Sequence, residues 1–249
     1  MSAYPTISGV IRYTSKQPER LDQERGRERF SLTRQPDGVD VLHAHCEIDD
    51  EPMVVRDVVL ALDHEDSRPR DCSVRLSVGD RFEGSGWMRF TDRVLECESW
   101  NQRDGRITQR IEVDAPVRWL QSHPIVGDAL LMKLYDLSQG PGKTFFENLY
   151  LTSPDHRGAT GPLLFRTGFS IVYLCEEDIE VAAGAFRARH FQVTDTAGNL
   201  PEEHPPYEVW CTADDDYLLL RAGAGGYMQT HYELVELHRP APAATAGAD

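Results

Sequence analysis

Short runs of alternating apolar and polar residues follow one another along most of the chain, separated by turn residues. Val39–Ile48 (VDVLHAHCEI) follows the turn signal Pro36-Asp37-Gly38, and Val54–Leu62 (VVRDVVLAL) is rich in β-branched residues. Further runs of this kind, joined by short turns, are Cys72–Val78, Arg81–Phe90, Val94–Trp100 and Arg106–Val113. Alternation with tight turns is typical of antiparallel hairpins. The first half of the chain, starting with Gly9–Thr14, therefore predicts a β-meander.

Two segments depart from this alternation. In Ser122–Leu137 the apolar residues recur at helical spacing, and Pro124 suits a first helical turn, so we predict one helix here. The stretch Gln17–Arg34 is dense in charges of both signs that nearly cancel. It is predicted to be a solvated segment or a short exposed helix.

The second half returns to strand-like runs. These are Thr144–Thr152, Leu163–Cys175 (one or two strands, broken near Gly168), Ile179–Val181, Ala185–Thr194, Tyr207–Thr212, Asp216–Ala222 and Gln229–Leu237. The pattern predicts an all-β fold, an antiparallel meander closed or nearly closed into a lipocalin-like barrel with one helix around residues 122–137. We expect a single β-barrel domain over residues 1–238 and a disordered tail over residues 239–249, which lacks bulky apolar residues.

The last third of the chain carries a recognisable set of motifs. Val181–Phe186 (VAAGAF) leads into a strand, Tyr207–Trp210 (YEVW) precedes Asp214–Asp216, and Tyr232–Leu237 (YELVEL) closes the series. This arrangement resembles an uncharacterised bacterial family of lipocalin-like curved β-sheet proteins. The resemblance covers roughly residues 179–237. It implies a fold and transfers no catalytic residues.

Charge and cysteine usage narrow the classes of partner. The chain has 249 residues and a net charge of −15, which repels the phosphate backbone of nucleic acids. No apolar run is long enough to cross a bilayer, and the first residues lack the apolar core of a secretory signal. Five scattered cysteines without a C-x-x-C motif are typical of reduced thiols. We therefore expect a cytoplasmic protein without membrane insertion or nucleic-acid partners, and the sequence leaves a homodimer open.

Three kinds of side chain within the predicted strands are candidates for chemistry: histidine, arginine and glutamate. His43 and His45 lie two positions apart and share a strand face, which fits either a metal pair of the cupin type or a metal-free acid/base role. Arg56 interrupts a run of valines and would be an anion or carbonyl anchor if it faced inward. Glu147 is flanked by aromatic residues that could raise its pKa, and His190 is a candidate base.

A barrel lumen would be lined by flat aromatic rings and by the loop that follows the predicted strand Thr144–Thr152. Candidate ligand-binding residues are His43, Trp87, Trp100, Tyr150, His156, Tyr173, Trp210, Tyr227 and Tyr232. Such aromatic residues most often form core, and in a hollow barrel they would instead contact an apolar ligand. His156 belongs to Ser153–Gly161, a glycine- and proline-containing loop typical of a cavity mouth.

These features predict an enzyme that works without a cofactor, because the common cofactor fingerprints are missing. The expected reaction is of the lyase, isomerase or hydratase type on a hydrophobic molecule, which would be aromatic, terpenoid or steroid-like. His45 or His190 would act as general base, Glu147 or Tyr135 as acid, and Arg56 would stabilise a developing oxyanion. Two alternatives stay open, a non-catalytic carrier of a hydrophobic molecule and a metal-dependent cupin-like enzyme that uses the two histidines of the H-x-H pair.

Overall fold

A computed structural model describes residues 4–196 and 203–240 of the chain. The predicted tail from residue 241 onward and part of the loop after residue 196 lie outside the described residues. Within the described ranges, fifteen strands form one sheet: β1 Thr6–Ser15, β2 Glu24–Arg34, β3 Val39–Ile48, β4 Val54–Asp63, β5 Pro69–Val78, β6 Arg81–Phe90, β7 Val94–Asn101, β8 Gly105–Glu112, β9 Trp119–Gln121, β10 Gly142–Leu151, β11 Phe165–Val181, β12 Gly184–Thr194, β13 Tyr207–Thr212, β14 Leu219–Ala224 and β15 Thr230–His238. The all-β class is confirmed.

The sheet is a meander in which the N-terminal strand β1 pairs with the C-terminal strand β15 near the middle of the sheet. Its order is β8-β7-β6-β5-β4-β3-β2-β1-β15-β14-β13-β12-β11-β10-β9. Neighbouring strands are antiparallel, except that β9 and β10 run parallel. The edge strands β8 and β9 do not pair with each other, so backbone hydrogen bonds do not close the sheet. The expected closure into a lipocalin-like barrel is not confirmed.

The sheet nevertheless curls far enough for its first half to meet the segment between β10 and β11. The side chain of Gln109 in β8 donates to the carbonyl of Leu164 at 3.0 Å and accepts from its N–H at 2.7 Å. Gly84 in β6 lies so close to this segment that a Cβ atom would stand 2.4 Å from the carbonyl oxygen of Gly161. Only glycine permits this approach of two backbones. The segment therefore lies against the inner face of the sheet.

Strand β2 corrects the expectation that residues 17–34 form a solvated segment or helix. A 3-10 turn spans Pro18–Arg20, and β2 occupies Glu24–Arg34. Within β2 the buried residues alternate with arginines on the outer face, and Arg29 pairs with Glu47 of β3 at 3.3 Å. Balanced charges along a chain are compatible with a strand because they occupy one face and are neutralised by the neighbouring strand.

The predicted helix over residues 122–137 is shorter than expected. Helix α1 spans Ile125–Leu130 and continues as a 3-10 turn over Leu131–Leu134. Asp136 then accepts a hydrogen bond from the N–H of Ser138 and caps a separate 3-10 turn, so a local side-chain bond competes with helix continuation. None of the helices in the described part of the chain is long and apolar enough to span a bilayer.

Strand β11 corrects the expected break near Gly168. It runs without interruption over Phe165–Val181 and includes the residues predicted as a separate short strand at 179–181. The irregularity lies on the partner strand, where the register with β11 shifts between Phe146 and Leu149 and Asn148 has φ +61°. Gly168 passes close to this bulge, since a Cβ atom there would stand 3.0 Å from the carbonyl oxygen of Phe146.

Candidate functional site

A cavity of about 340 Å³ lies between α1 and the inner face of the second half of the sheet. Its wall combines apolar side chains with a carboxyl group, imidazoles and phenols. Residues of the wall that carry polar groups include Gln121, His123, Asp128, Ser153, Asp155, His156, Thr167, Thr196, His204, Tyr207, Tyr227 and Tyr232. A second cavity of about 190 Å³ adjoins the first, and His123, Ile125, His156, Tyr227, Met228 and Tyr232 line both. The two spaces form one candidate ligand site.

Asp128 is the carboxyl group in the wall of the larger cavity. It lies on α1 and is 8% exposed. Tyr207 donates its hydroxyl to Oδ2 at 2.6 Å, and the amide of Gln121 donates to Oδ1. Burial raises the pKa of Asp128 to about 7, with the nearby charge of Glu28 adding to the rise and the two hydrogen bonds opposing it. The carboxyl group therefore exchanges a proton near neutral pH.

Glu28 anchors α1 to the sheet. Its carboxylate accepts from the backbone N–H of Ile125 at 2.6 Å and of Val126 at 3.0 Å. The hydroxyl of Tyr13 donates to it at 2.8 Å, and the thiol of Cys46 contacts the same oxygen at 3.4 Å. Burial raises the pKa of Glu28, although these hydrogen bonds favour the ionised form. A buried acid of β2 thus satisfies the free N–H groups at the start of the helix.

Two histidines of the cavity wall are held in the neutral form. His123 has φ +76° and its Nε2 lies 3.1 Å from the carbonyl oxygen of Ser153, so that nitrogen carries the proton and donates. Burial, reinforced by the positive charge of Arg56, lowers the pKa of His123 to about 3. Burial also lowers the pKa of His204. A neutral imidazole leaves one nitrogen as an acceptor, which suits polar contacts with an uncharged ligand.

Arg56 faces inward from β4 and is 2% exposed. Its Nη2 donates to the carbonyl oxygens of Arg157 at 2.5 Å and Gly158 at 2.6 Å, which ties the mouth loop to the sheet. Arg56 also lines the smaller cavity. Burial lowers the pKa of Arg56, and an arginine keeps its positive charge at any physiological pH. The site therefore holds a fixed cation at one end and a titrating carboxyl group at the other.

Several predicted site residues lie outside the cavities, on the outer face of the sheet or at the surface. His43 and Glu147 are exposed. His45 bonds to Asp57 at 2.6 Å and to Glu47 at 3.1 Å, and these acceptors raise its pKa. Trp87 and Trp100 are 43% and 41% exposed. His190 and Trp210 stack on each other, with 3.9 Å between their ring centroids. None of these side chains lines the two joined cavities.

Other predicted site residues face inward. Arg56, His156, Tyr227 and Tyr232 line one or both cavities. Tyr135 is buried, donates its hydroxyl to the carbonyl of Gly140 at 2.8 Å and packs against Tyr173, while Tyr150 is buried in the core. The structure thus brings Arg56 together with the residues of the mouth loop, and it separates Arg56 from the other four predicted catalytic residues.

Four residues that give the cavity its chemistry were not predicted from the sequence. Asp128, Glu28 and Tyr207 were not among the candidates, nor was His123. A signal existed for Asp128, because a single acid interrupts the otherwise apolar run 124–132 (PIVGDALLM) of the predicted helix. No comparable signal marked Glu28, which is one of many charges in its segment.

Comparisons with known proteins give the fold and no activity. No family model matches the chain, and no curated protein matches it. A crystal structure of a β-barrel-like protein of Domain of Unknown Function DUF1849 from Brucella abortus is similar, with a TM-score of 0.56 and 10% sequence identity. The match covers 95% of this chain and 98% of that chain. It agrees with the expected likeness to an uncharacterised β-barrel family, and it does not confirm the lipocalin-like part of that expectation.

Proposed function

We propose that the two joined cavities bind one small, largely apolar molecule that carries a carbonyl group, and that Asp128 transfers a proton on it without a cofactor. The observation that carries this proposal is a buried carboxyl group in the cavity wall whose pKa is about 7. A general acid or base works best when its pKa lies near the operating pH. Few surface carboxyl groups meet this condition, since the ordinary value for aspartate is about 3.9.

Asp128 retains the lone pairs that proton transfer needs. A carboxylate offers about four acceptor positions, and the hydrogen bonds from Tyr207 and Gln121 use one on each oxygen. These two bonds also fix the orientation of the group against the cavity. Positioned carboxyl groups of this kind contribute typically about 10²–10⁴-fold to a rate.

The proposed reaction is an isomerisation by proton shift. In a β,γ-unsaturated ketone, the Asp128 carboxylate removes a proton from the carbon between the carbonyl group and the C=C bond, and the electron pair of the broken C–H bond becomes part of a dienolate. The carboxylic acid then returns the proton to another carbon of the same delocalised anion. One proton leaves and one returns, so the step consumes no oxidant, reductant or water.

Arg56 would stabilise the negative charge that develops on the ligand oxygen. Arg56 lines the smaller cavity, which shares His123 and Ile125 with the larger one. A fixed cation in a site that excludes water favours an oxyanion more than it would in solvent. The ligand would therefore lie with its oxygen toward Arg56 and its reacting carbon toward Asp128.

A carrier without catalysis is the second candidate, and one observation favours it. Arg56 and His123 both bond to carbonyl groups of the mouth loop, and Asp128 is bonded to Tyr207 and Gln121, so each has a structural role. A metal-dependent reaction at His43 and His45 has no comparable support. In the described part of the chain, neither belongs to a group of three side chains able to hold a metal ion.

Deuterium exchange separates the two candidates. Native mass spectrometry against a panel of cyclic enones, terpenoid ketones and steroid ketones identifies the compounds that bind. Each bound compound is then incubated with the protein in D₂O and its mass is followed. We expect deuterium uptake with the wild type and uptake at least about 100-fold slower with Asp128→Asn, which keeps the shape of the side chain and the binding.

Each outcome of this experiment supports or rejects one part of the proposal. Binding without protein-dependent exchange supports the carrier and rejects catalysis. Exchange that is unchanged in Asp128→Asn rejects the role of this carboxyl group. Failure of every compound class to bind rejects the apolar ligand itself. His43→Asn is the matched control, because His43 lies exposed outside both cavities and its replacement should leave binding and exchange unchanged.

A further inference from the structure

On the outer face of the sheet, a cysteine, a glutamate and a histidine converge on one point. A sulfur, oxygen and nitrogen atom of Cys175, Glu177 and His190 lie within 4.8 Å of one another. Among residues 4–196 and 203–240, no other group of three histidine, cysteine or acidic side chains is arranged in this way. From this geometry we propose that these three side chains form a binding site for Zn²⁺, separate from the ligand cavities.

The strand register places the three side chains together. Cys175 pairs directly with His190 across β11 and β12, and Glu177 follows two positions later on the same face. A β-bulge between Tyr173 and Cys175 sets this pairing. It lets Tyr173 stay opposite the buried Phe191 while Cys175 turns to the outer face. Bulges often re-aim a side chain in this manner next to functional sites.

The histidine is oriented as a metal ligand. Its Nε2 lies 2.7 Å from Oε2 of Glu208, and its Nδ1 lies 3.4 Å from Oε1 of Glu177. When Nε2 donates its proton to Glu208, the lone pair on Nδ1 faces the other two ligands. A histidine that binds a metal through one nitrogen and donates to a carboxylate through the other is the usual arrangement around zinc.

Contacts with neighbouring side chains also hold Glu177 and Trp210 in place. Trp210 donates its indole N–H to Oε1 of Glu177 at 2.8 Å, which orients the carboxylate and leaves the second lone pair of Oε1 for a metal ion. The indole ring stacks on His190 with 3.9 Å between centroids. His190 is thereby held on one side by Trp210 and at its edge by Glu208, before any ion binds.

Cys175 differs from the other cysteines of the chain. It is exposed, whereas Cys46, Cys72, Cys97 and Cys211 are buried and burial raises the pKa of each. A metal ion arrives from solvent, so it can contact only a sulfur atom that solvent reaches. Cys175 is therefore the cysteine that a metal ion can reach.

The set of donor atoms selects zinc. Thiolate, imidazole and carboxylate are its common ligands, with bonds of about 2.0–2.3 Å, so the donor atoms of a tetrahedral site stand roughly 3.3–3.8 Å apart. The Nδ1 to Oε1 separation of 3.4 Å already falls in this range. All three donor atoms already lie within 4.8 Å of one another, so an ion must draw any pair together by at most about 1.5 Å. Three protein ligands leave the fourth position to water.

Cobalt is the probe for the test, because Zn²⁺ has no absorption of its own. The reduced, chelator-treated protein is titrated with Co²⁺ alone. We expect a thiolate-to-cobalt charge-transfer band, quenching of Trp210 fluorescence and reversal of both by one equivalent of Zn²⁺. Cys175→Ser should abolish the band, and Glu177→Gln and His190→Gln should each weaken binding by at least about 10-fold. Glu208→Gln should weaken it by about 10–100-fold, as loss of the partner of a histidine ligand does.

His43→Gln combined with His45→Gln is the control, since these exposed histidines are the rival metal pair on another strand. The proposal is overturned if no charge-transfer band forms, or if the band survives in Cys175→Ser. It is equally overturned if the control variant loses binding while the three ligand variants keep it. If no band forms, His190 serves only as an ion-pair partner of Glu177 and Glu208. The four tested positions, Cys175, Glu177, His190 and Glu208, lie on the outer face of the sheet. Circular dichroism verifies that each variant is folded.

Discussion

The hydroxyl of Tyr207 in β13 lies 2.6 Å from Oδ2 of Asp128 in α1. The two residues are 79 positions apart in the chain, and their contact joins the helix to the far half of the sheet. It also opposes the effect of burial on the carboxyl group, because a donor to the ionised form stabilises that form. The pKa of about 7 therefore results from desolvation, which raises it, and from this hydrogen bond, which lowers it. A substitution can remove the hydrogen bond and leave the burial unchanged.

Tyr207→Phe should raise the pKa of Asp128 above about 7, because it removes a hydrogen bond to the carboxylate and leaves the burial in place. The loss of the bond should also lower the free energy of unfolding by about 1 kcal/mol. The pKa is measured from the ¹³C shift of the Asp128 carboxyl carbon during a pH titration. Tyr135→Phe is the matched control, since its hydroxyl bonds to the carbonyl of Gly140. An unchanged or lower pKa in Tyr207→Phe would show that the bond does not support the ionised form.

Asp128 should also make the stability of the protein depend on pH in a defined window. Its pKa rises from 3.8 in the unfolded chain to about 7 in the folded one, so the folded state holds the proton more tightly. The stabilisation from this tighter binding is complete below about pH 4 and is lost as the pH rises through about 7. In Asp128→Asn the loss disappears. The wild type should therefore lose stability relative to Asp128→Asn between about pH 4 and pH 8, by up to about 4 kcal/mol.

Urea denaturation of the two proteins across this range provides the measurement. The decisive quantity is the pH dependence of the difference in unfolding free energy, since the substitution also adds a constant offset. Asp71→Asn is the control at a partly buried carboxyl group outside both cavities, whose pKa burial also raises. A difference between wild type and Asp128→Asn that does not vary with pH would mean that Asp128 titrates normally.

The sequence predicted the strands where alternation was strong and failed where charge obscured it. The predicted Val39–Ile48 coincides with β3, and Val54–Leu62 is one residue short of β4. In β2 the buried face includes Glu28, an acid that reads as a surface residue until its partners on α1 are known. Those partners lie almost 100 positions away, and no local pattern encodes a contact of that range. For the same reason, alternation alone could not tell which candidate histidines face the cavity.

Glu28→Ala should release the start of α1. The substitution leaves the N–H groups of Ile125 and Val126 without their acceptor in a buried place, at a cost of about 1–3 kcal/mol for each unsatisfied group. Amide hydrogen exchange at these two residues should accelerate by at least about 10-fold, while exchange in β4 changes only by the global loss of stability. Glu24→Ala is the control on the same strand, where an exposed glutamate pairs with Arg27. Unchanged protection at the two amides would refute the anchoring role.

Gly158 lies between Arg56 and His123. A side chain at this position should lower the free energy of unfolding by more than its positive φ alone would cost. A Cβ atom there would stand 2.3 Å from Nη2 of Arg56 and 2.7 Å from Cγ of His123. Gly79 has a similar φ, +56° against +62°, and nothing within 4 Å of its Cβ position. Gly79→Ala should therefore cost only the backbone term of about 1 kcal/mol, and Gly158→Ala that term plus about 1–3 kcal/mol of overpacking. Urea denaturation gives both costs. Equal losses in the two variants would show that the mouth loop moves aside freely and does not hold Arg56 and His123 in place.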